Sequence, residues 1–142
     1  MKDKIFIDTD IFLDTLLARK PYYAFSNQIL SLCEYNEVKG FTSCLVIANI
    51  YYILNKLTNR KKAIHAVSTI RAIIRVLPCT DKEIGESINS EFKDFEDGLQ
   101  YFIAINNDIN CIITRNIKDF KKSSISIVSA EQYLESRKLR HK

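Results

Sequence analysis

The sequence predicts an α/β domain: a three-layer sandwich with a central, mainly parallel sheet of about four to five strands and helices on both faces. Three observations carry this. Short apolar runs suited to buried strands alternate with longer stretches in which apolar residues recur at helical spacing. Only three Gly and two Pro occur, too few for a turn-rich all-β fold. Acidic residues stand at the ends of apolar runs and the starts of helical stretches, the pattern that parallel strands gather at one sheet edge.

Residues 4–8 are a short apolar run ending in Asp8, the first strand. Ile11 to Ala18 reads as a short helix, stopped by Arg19-Lys20-Pro21. Residues 22–36 carry Phe25, Ile29, Leu30, Leu32 and Cys33 at mixed spacings of 3 and 4, a helix that Gly40 would terminate. Gly40-Phe41-Thr42 is the second strand. Ser43 caps a helix reaching about Lys56 through Val46, Ile50 and Leu54. Residues 61–74 repeat Ala63, Val67, Ile70 and Ile74 as a helical stripe, and Arg75 to Pro78 is a strand ended by Pro. Thr80 or Asp81 caps a helix toward Asn89. The cluster Asp94-Phe95-Glu96-Asp97 opens another, with Leu99, Phe102, Ile103 and Ile105 facing inward. Strands follow at Cys111 to Thr114 and Ile125 to Val128, and Ser129 caps a last helix around Glu131 to Glu135.

The 142 residues suit one domain, taken as 1–136 with a basic tail at 137–142. With 46% hydrophobic residues the chain can build a core and is not disordered. An excess of four Lys and Arg over Asp and Glu permits a basic face but not a histone-like binder. Lys56, Arg60, Lys61 and Lys62 form a basic cluster after the third helix, either a solvated face or a track for a nucleic-acid backbone. Tyr51 and Tyr52 beside it are expected to pack, with base stacking the alternative. The four cysteines lie far apart with no C-x-x-C, and only His65 and His141 add imidazoles, which speaks against structural zinc. Cys44 and Cys111 are expected to be buried. No signal peptide or membrane-length apolar run is visible, so a reduced, cytoplasmic protein is expected.

The chemistry rests on carboxylates. Asp8 lies at the mouth of a central strand, where it can cap the next helix or ligate a metal; with Asp10 as the cap and Asp8 as the ligand, both readings hold. Asp94 and Asp97 have N-cap to N3 spacing, which capping explains, but Glu96 adds a third acid. Carboxylates brought together repel unless a cation holds them, and Mg²⁺ or Mn²⁺ would suit Asp8 with Asp97. Past the Cys111 strand, Asn116 offers an oxygen to a metal or its water, and Arg115 a planar fork for phosphate. Asp119 can anchor that loop or add a carboxylate. No His or Cys partner supports a serine or cysteine nucleophile. The Asp8-Thr9-Asp10 opening also resembles that of haloacid-dehalogenase-like phosphatases, whose later acidic pair is missing here.

Taken in order, these segments resemble the PIN domain, the metal-dependent nuclease fold of many bacterial VapC-like toxins. Phe6-Ile7-Asp8-Thr9-Asp10 resembles its opening motif, and Thr42 to Tyr51 the segment that usually carries the second acid. Asp94 to Gln100 resembles the third-acid helix, with Asp97 at the matching position. Thr114 to Phe120 resembles a T-R-N-x-x-D-F form of the fourth motif. The resemblance spans essentially the whole chain. It implies an endoribonuclease using Mg²⁺ or Mn²⁺ on Asp8 and Asp97, an RNA substrate, a cognate antitoxin and a homodimer. Asn49 stands where the second acid is usual and Asn116 where the fourth is, so the resemblance also admits a weakened RNA- or protein-binding module. Asp10, Asp94, Glu96 or Asp119 would then compensate for the lost charge.

Overall fold

A computed structural model describes residues 2–120 and 124–140, without the side chains of 119 and 120. Five parallel strands form one sheet in the order β3-β2-β1-β4-β5: β1 (Lys4–Ile7), β2 (Lys39–Ser43), β3 (Arg75–Leu77), β4 (Cys111–Ile113) and β5 (Ser126–Val128). The helices are α1 (Thr9–Leu16), α2 (Tyr23–Glu34), α3 (Cys44–Leu57), α4 (Arg60–Ile73), α5 (Asp81–Ile88), α6 (Phe95–Asn106) and α7 (Ala130–Arg140). A short 3-10 helix, Ile117–Phe120, lies between β4 and β5.

β1 is central and shows why its sequence is apolar throughout. Ile5 and Ile7 point into a core built with α1, α2, α3, α4 and α7, and Phe6 points into a second core with Phe41, Ile112 and α6. All three are fully buried. Each contributes roughly 1.5–3 kcal/mol by leaving water, and a strand buried on one face only would lose the share of either Phe6 or the two Ile.

Several expectations change in three dimensions. Gly40 lies in β2 as expected but does not terminate the preceding helix; an added Cβ there would come within 2.6 Å of both Cys33 Sγ and Ile74 Cδ1. It lets α2 and the end of α4 close onto the strand. Helix α2 stops instead at Glu34, with Asn36 just beyond in the left-handed region at φ 60°. Cys44, expected in the core, is exposed in the first turn of α3, and Cys111 is only half-buried. Tyr52 is 66% exposed, whereas Tyr51 packs against the larger core.

The basic tail is helical as far as it is described. α7 continues to Arg140 because Arg140 binds Asp3 at 2.9 Å, Arg137 pairs with Glu37, and the Tyr133 hydroxyl donates to Asp3. His141 and Lys142 lie outside the described residues. Among those described, no helix is long and apolar enough to cross a membrane.

Candidate metal and phosphodiester site

Asp8 is the organising residue at the carboxyl edge of the sheet. It ends β1 and is itself the cap of α1, with Asp10 inside the helix's first turn: Oδ1 accepts from Thr9 N–H at 2.8 Å. Oδ2 accepts from the Thr114 hydroxyl, also at 2.8 Å, across the junction of β1 with β4. The backbone supports this junction, since Asp8 N–H donates to the Ile113 carbonyl, and on the other side of β1 the Thr42 hydroxyl of β2 donates to the Ile7 carbonyl. Burial pushes the Asp8 proton affinity up. The Thr114 and Thr9 hydrogen bonds oppose that rise, and the nearby charges of Asp10 and Glu96 add to it.

Asp97 lies in the first turn of α6 and is buried, and its N–H donates to the Asp94 carboxylate at 3.0 Å. Asp94 is therefore occupied as the N-cap of α6 and is itself exposed. Glu96 is exposed and accepts from the Asn49 amide, which joins α6 to the second turn of α3. Asn116 is exposed too, and its N–H donates to the Thr114 hydroxyl at 3.0 Å. Thr114 thus links the Asn116 backbone to the Asp8 carboxylate. The side chain of Asp119 lies outside the described residues.

Arg115 is differently engaged from a free phosphate ligand. Its guanidinium is 3.3 Å from Asp14 and 3.8 Å from Asp10, and stacks 4.2 Å from the centroid of the Tyr22 ring. Arg19 meets the same two acids at 3.8 and 3.7 Å. Asp14 has a side chain only 1% exposed, so burial raises its proton affinity, and the two cations oppose that rise. The cluster borders a cavity of about 450 Å³ lined by Asp10, Tyr22, Phe25, Arg115 and Asn116 among others.

Two supporting residues escape the sequence reading. Gln100, fully buried one turn after Asp97, accepts from the Ser43 hydroxyl at 2.7 Å and ties α6 to the start of α3. A polar residue inside the apolar stretch Leu99 to Ile105 is its signal. Asp14 has none, since an acid in a short helix usually faces solvent.

The donor set fits a hard cation of the magnesium kind. Asp8 is a buried carboxylate whose charge is opposed by Asp10 and Glu96, and an added cation relieves both costs. Among the described residues no three His, Cys, Asp or Glu side chains converge as a ready-made cage. Mg²⁺ does not require one, because it binds through one or two carboxylates and keeps waters or phosphate oxygens in its other positions.

Parallel topology, an N-capping carboxylate at the central strand and acids from a second helix define an α/β domain with an acidic centre at its carboxyl edge. A PIN domain family model matches residues 4–118, and the chain belongs to that family. It is 28% identical over 138 residues to Ribonuclease VapC1 of Aquifex aeolicus, with 94% of each chain covered. Its fold is similar to that of a toxin–antitoxin complex from Klebsiella pneumoniae (TM-score 0.68, 19% identity, 89% of this chain and 97% of that chain). It is also similar to Mycobacterium tuberculosis VapC20, described as a toxin cleaving the sarcin-ricin loop (TM-score 0.61, 17% identity, 76% and 86%).

Proposed function

We propose that this chain is a metal-dependent endoribonuclease, the toxin of a toxin–antitoxin pair, that hydrolyses RNA phosphodiester bonds. The observation that carries the reading is the Asp8 carboxylate, buried, fixed at both oxygens and crowded by Asp10 and Glu96. Such a group holds a proton or a cation. Asp8 and Asp97 would hold Mg²⁺ or Mn²⁺, which when bound polarises a phosphoryl oxygen and lowers the pKa of a bound water.

The chain's own residues set the conditions for that chemistry. Thr114 and Thr9 hold Asp8 in one orientation, so little is lost in ordering it when substrate arrives. Ser43 and Gln100 hold α6, and with it Asp97, against the start of α3. Asn116, on the loop that Thr114 anchors, orients the shell around the phosphate. Arg115 keeps that loop against α1 through Asp14 and Asp10. The ribonuclease name of the Aquifex relative and the toxin–antitoxin complexes among the structural neighbours support RNA as substrate and a protein antitoxin as partner.

The test is calorimetric titration of Mn²⁺ into wild type and Asp97→Asn, with parallel incubation on a mixed RNA pool. Binding and cleavage in wild type, both lost in the variant, are expected. A second reading, a binding module without catalysis, is favoured by Asn49 and Asn116 at two positions usually acidic. Tight RNA binding indifferent to Mn²⁺, with no cleavage, would select it.

A further inference from the structure

The charge of this chain is strongly segregated. Between Glu37 and Asp81 there is no Asp or Glu, yet seven of the 21 Lys and Arg fall there, leaving 14 to face all 17 acids elsewhere. This acid-free tract folds as β2, α3, α4 and β3, with α3 and α4 packed on each other and joined only by Thr58 and Asn59. α3 starts at the candidate site, where Ser43 meets Gln100, and its 14 residues carry the chain about 21 Å away.

One face of α3 makes the connection. Asn49, Tyr52 and Lys56 recur at spacings of 3 and 4 and so line one side of the helix. Asn49 is held by Glu96 at the site, Tyr52 is exposed, and Lys56 Nζ lies 6.0 Å from the Tyr52 ring centroid. Beyond the turn, Arg60, Lys61 and Lys62 are all exposed. Among the described residues none of these four cations enters an ion pair.

We infer that this arm, Tyr52 and Lys56 on α3 with Arg60, Lys61 and Lys62 at the start of α4, is a second binding surface for single-stranded RNA flanking the cleaved bond. The inference rests on the ribonuclease reading. A carboxylate-lined centre repels the phosphates it must admit, so attraction has to come from outside it. Unpaired cations supply that attraction by releasing counterions from the backbone, and the exposed Tyr52 ring beside Lys56 offers a stacking platform indifferent to sequence. The apolar Leu57 and Ile64 are exposed nearby, but the absence of any Asp or Glu between Glu37 and Asp81 favours a polyanion over a protein surface of mixed charge.

Fluorescence anisotropy in EDTA tests this with labelled, unstructured RNAs of about 20 and about 4 nucleotides, the second too short to reach past the site. The variants are Lys56→Gln/Arg60→Gln/Lys61→Gln/Lys62→Gln, Tyr52→Ala, and Arg71→Gln/Arg75→Gln as a control at the far end of α4 and the start of β3. The quadruple variant should bind the long RNA at least 10-fold more weakly, with a salt slope shallower by roughly 0.7 for each phosphate no longer neutralised. Tyr52→Ala should weaken it less, and the control should match wild type. In Mn²⁺, wild type and quadruple variant should cut the short RNA equally. Equal affinity and salt slope for the long RNA would overturn the inference while short-RNA cleavage upholds the ribonuclease reading. A loss as large in the control, or displacement of RNA by polyglutamate as readily as by unlabelled RNA, would also overturn it. Wild type that neither binds nor cuts either RNA would overturn both.

Discussion

The Thr114 hydroxyl donates to Asp8 Oδ2 at 2.8 Å, joining residues 106 positions apart at the carboxyl ends of two neighbouring strands. The same hydroxyl accepts from Asn116 N–H. One small side chain therefore orients the central carboxylate and anchors the loop that presents Asn116.

Thr114→Val keeps the shape and removes both roles. Asp8 loses a hydrogen bond that favours its ionised form, so its proton affinity rises further. Mn²⁺ affinity and cleavage should fall by about 10–100-fold, as is usual when the partner of a metal ligand is removed. The acid limb of kcat/KM against pH should move upward, because a higher pH is then needed to ionise Asp8. Calorimetry and a pH–rate profile would check this, and unchanged values in a folded variant would remove Thr114 from the site.

Asp8→Asn separates stability from function. Because folding raises the Asp8 pKa, the ionised group opposes the fold: its contribution is most favourable below the ordinary carboxylate range and declines as pH rises through it. Asn keeps the cap of α1 without the charge. In EDTA at neutral pH the variant should be more stable than wild type by about 1 kcal/mol. Saturating Mn²⁺, at about 100 times its dissociation constant, should stabilise wild type by about 2.7 kcal/mol and the variant not at all. Thermal melts with and without Mn²⁺ would read both effects, and cleavage by the variant should be abolished. A variant that melts lower in EDTA would mean that Asp8 is chiefly structural.

The order of strands and helices was legible because each element carries a local signal. The apolar run before Asp8, the Ser43 cap and the stripe through Val46, Ile50 and Leu54 need no knowledge of neighbours. What was not legible depends on pairing across the sheet. Thr114 and Asn116 read equally as turn residues until β4 is placed beside β1. Arg115 reads as a phosphate ligand because nothing in the sequence shows that Asp14, buried in α1, competes for it. Cys44 and Tyr52 depart from expectation for another reason: apolar runs in a helix include residues on its outer side, and the run alone does not say which. The 3-10 helix at Ile117–Phe120 was not legible because short turns of that kind leave almost no periodicity.

Gly40→Ala tests the packing that only the structure reveals. The new methyl would overlap Cys33 Sγ and Ile74 Cδ1, both buried, so these side chains or the helix ends that carry them must shift. A loss of about 1–3 kcal/mol is expected from overpacking. Pairing it with Cys33→Ala should recover part of that loss by vacating the space. A double-mutant cycle in urea would measure the coupling, and strict additivity would show that the clash lies elsewhere.

At the amino end of the central strand β1, Asp3 holds α7 through Arg140 and Tyr133. The hydrogen bonds from Arg140 and Tyr133 keep the Asp3 carboxyl below its ordinary value despite partial burial. A depressed folded pKa places the stabilisation above the unfolded carboxylate value, and it is lost as pH falls through the folded one. Asp3→Asn should therefore cost about 1 kcal/mol at neutral pH, a modest figure because Arg140 is solvent-exposed. The difference from wild type should shrink as pH falls below the carboxylate range and disappear once wild-type Asp3 is itself protonated. Urea midpoints measured from neutral to acid pH would follow this convergence. A gap independent of pH would mean that Asp3 acts on α7 through shape rather than charge. RNA cleavage assayed at neutral pH should be unaffected, since Asp3 lies at the strands' amino ends and Asp8 at their carboxyl ends.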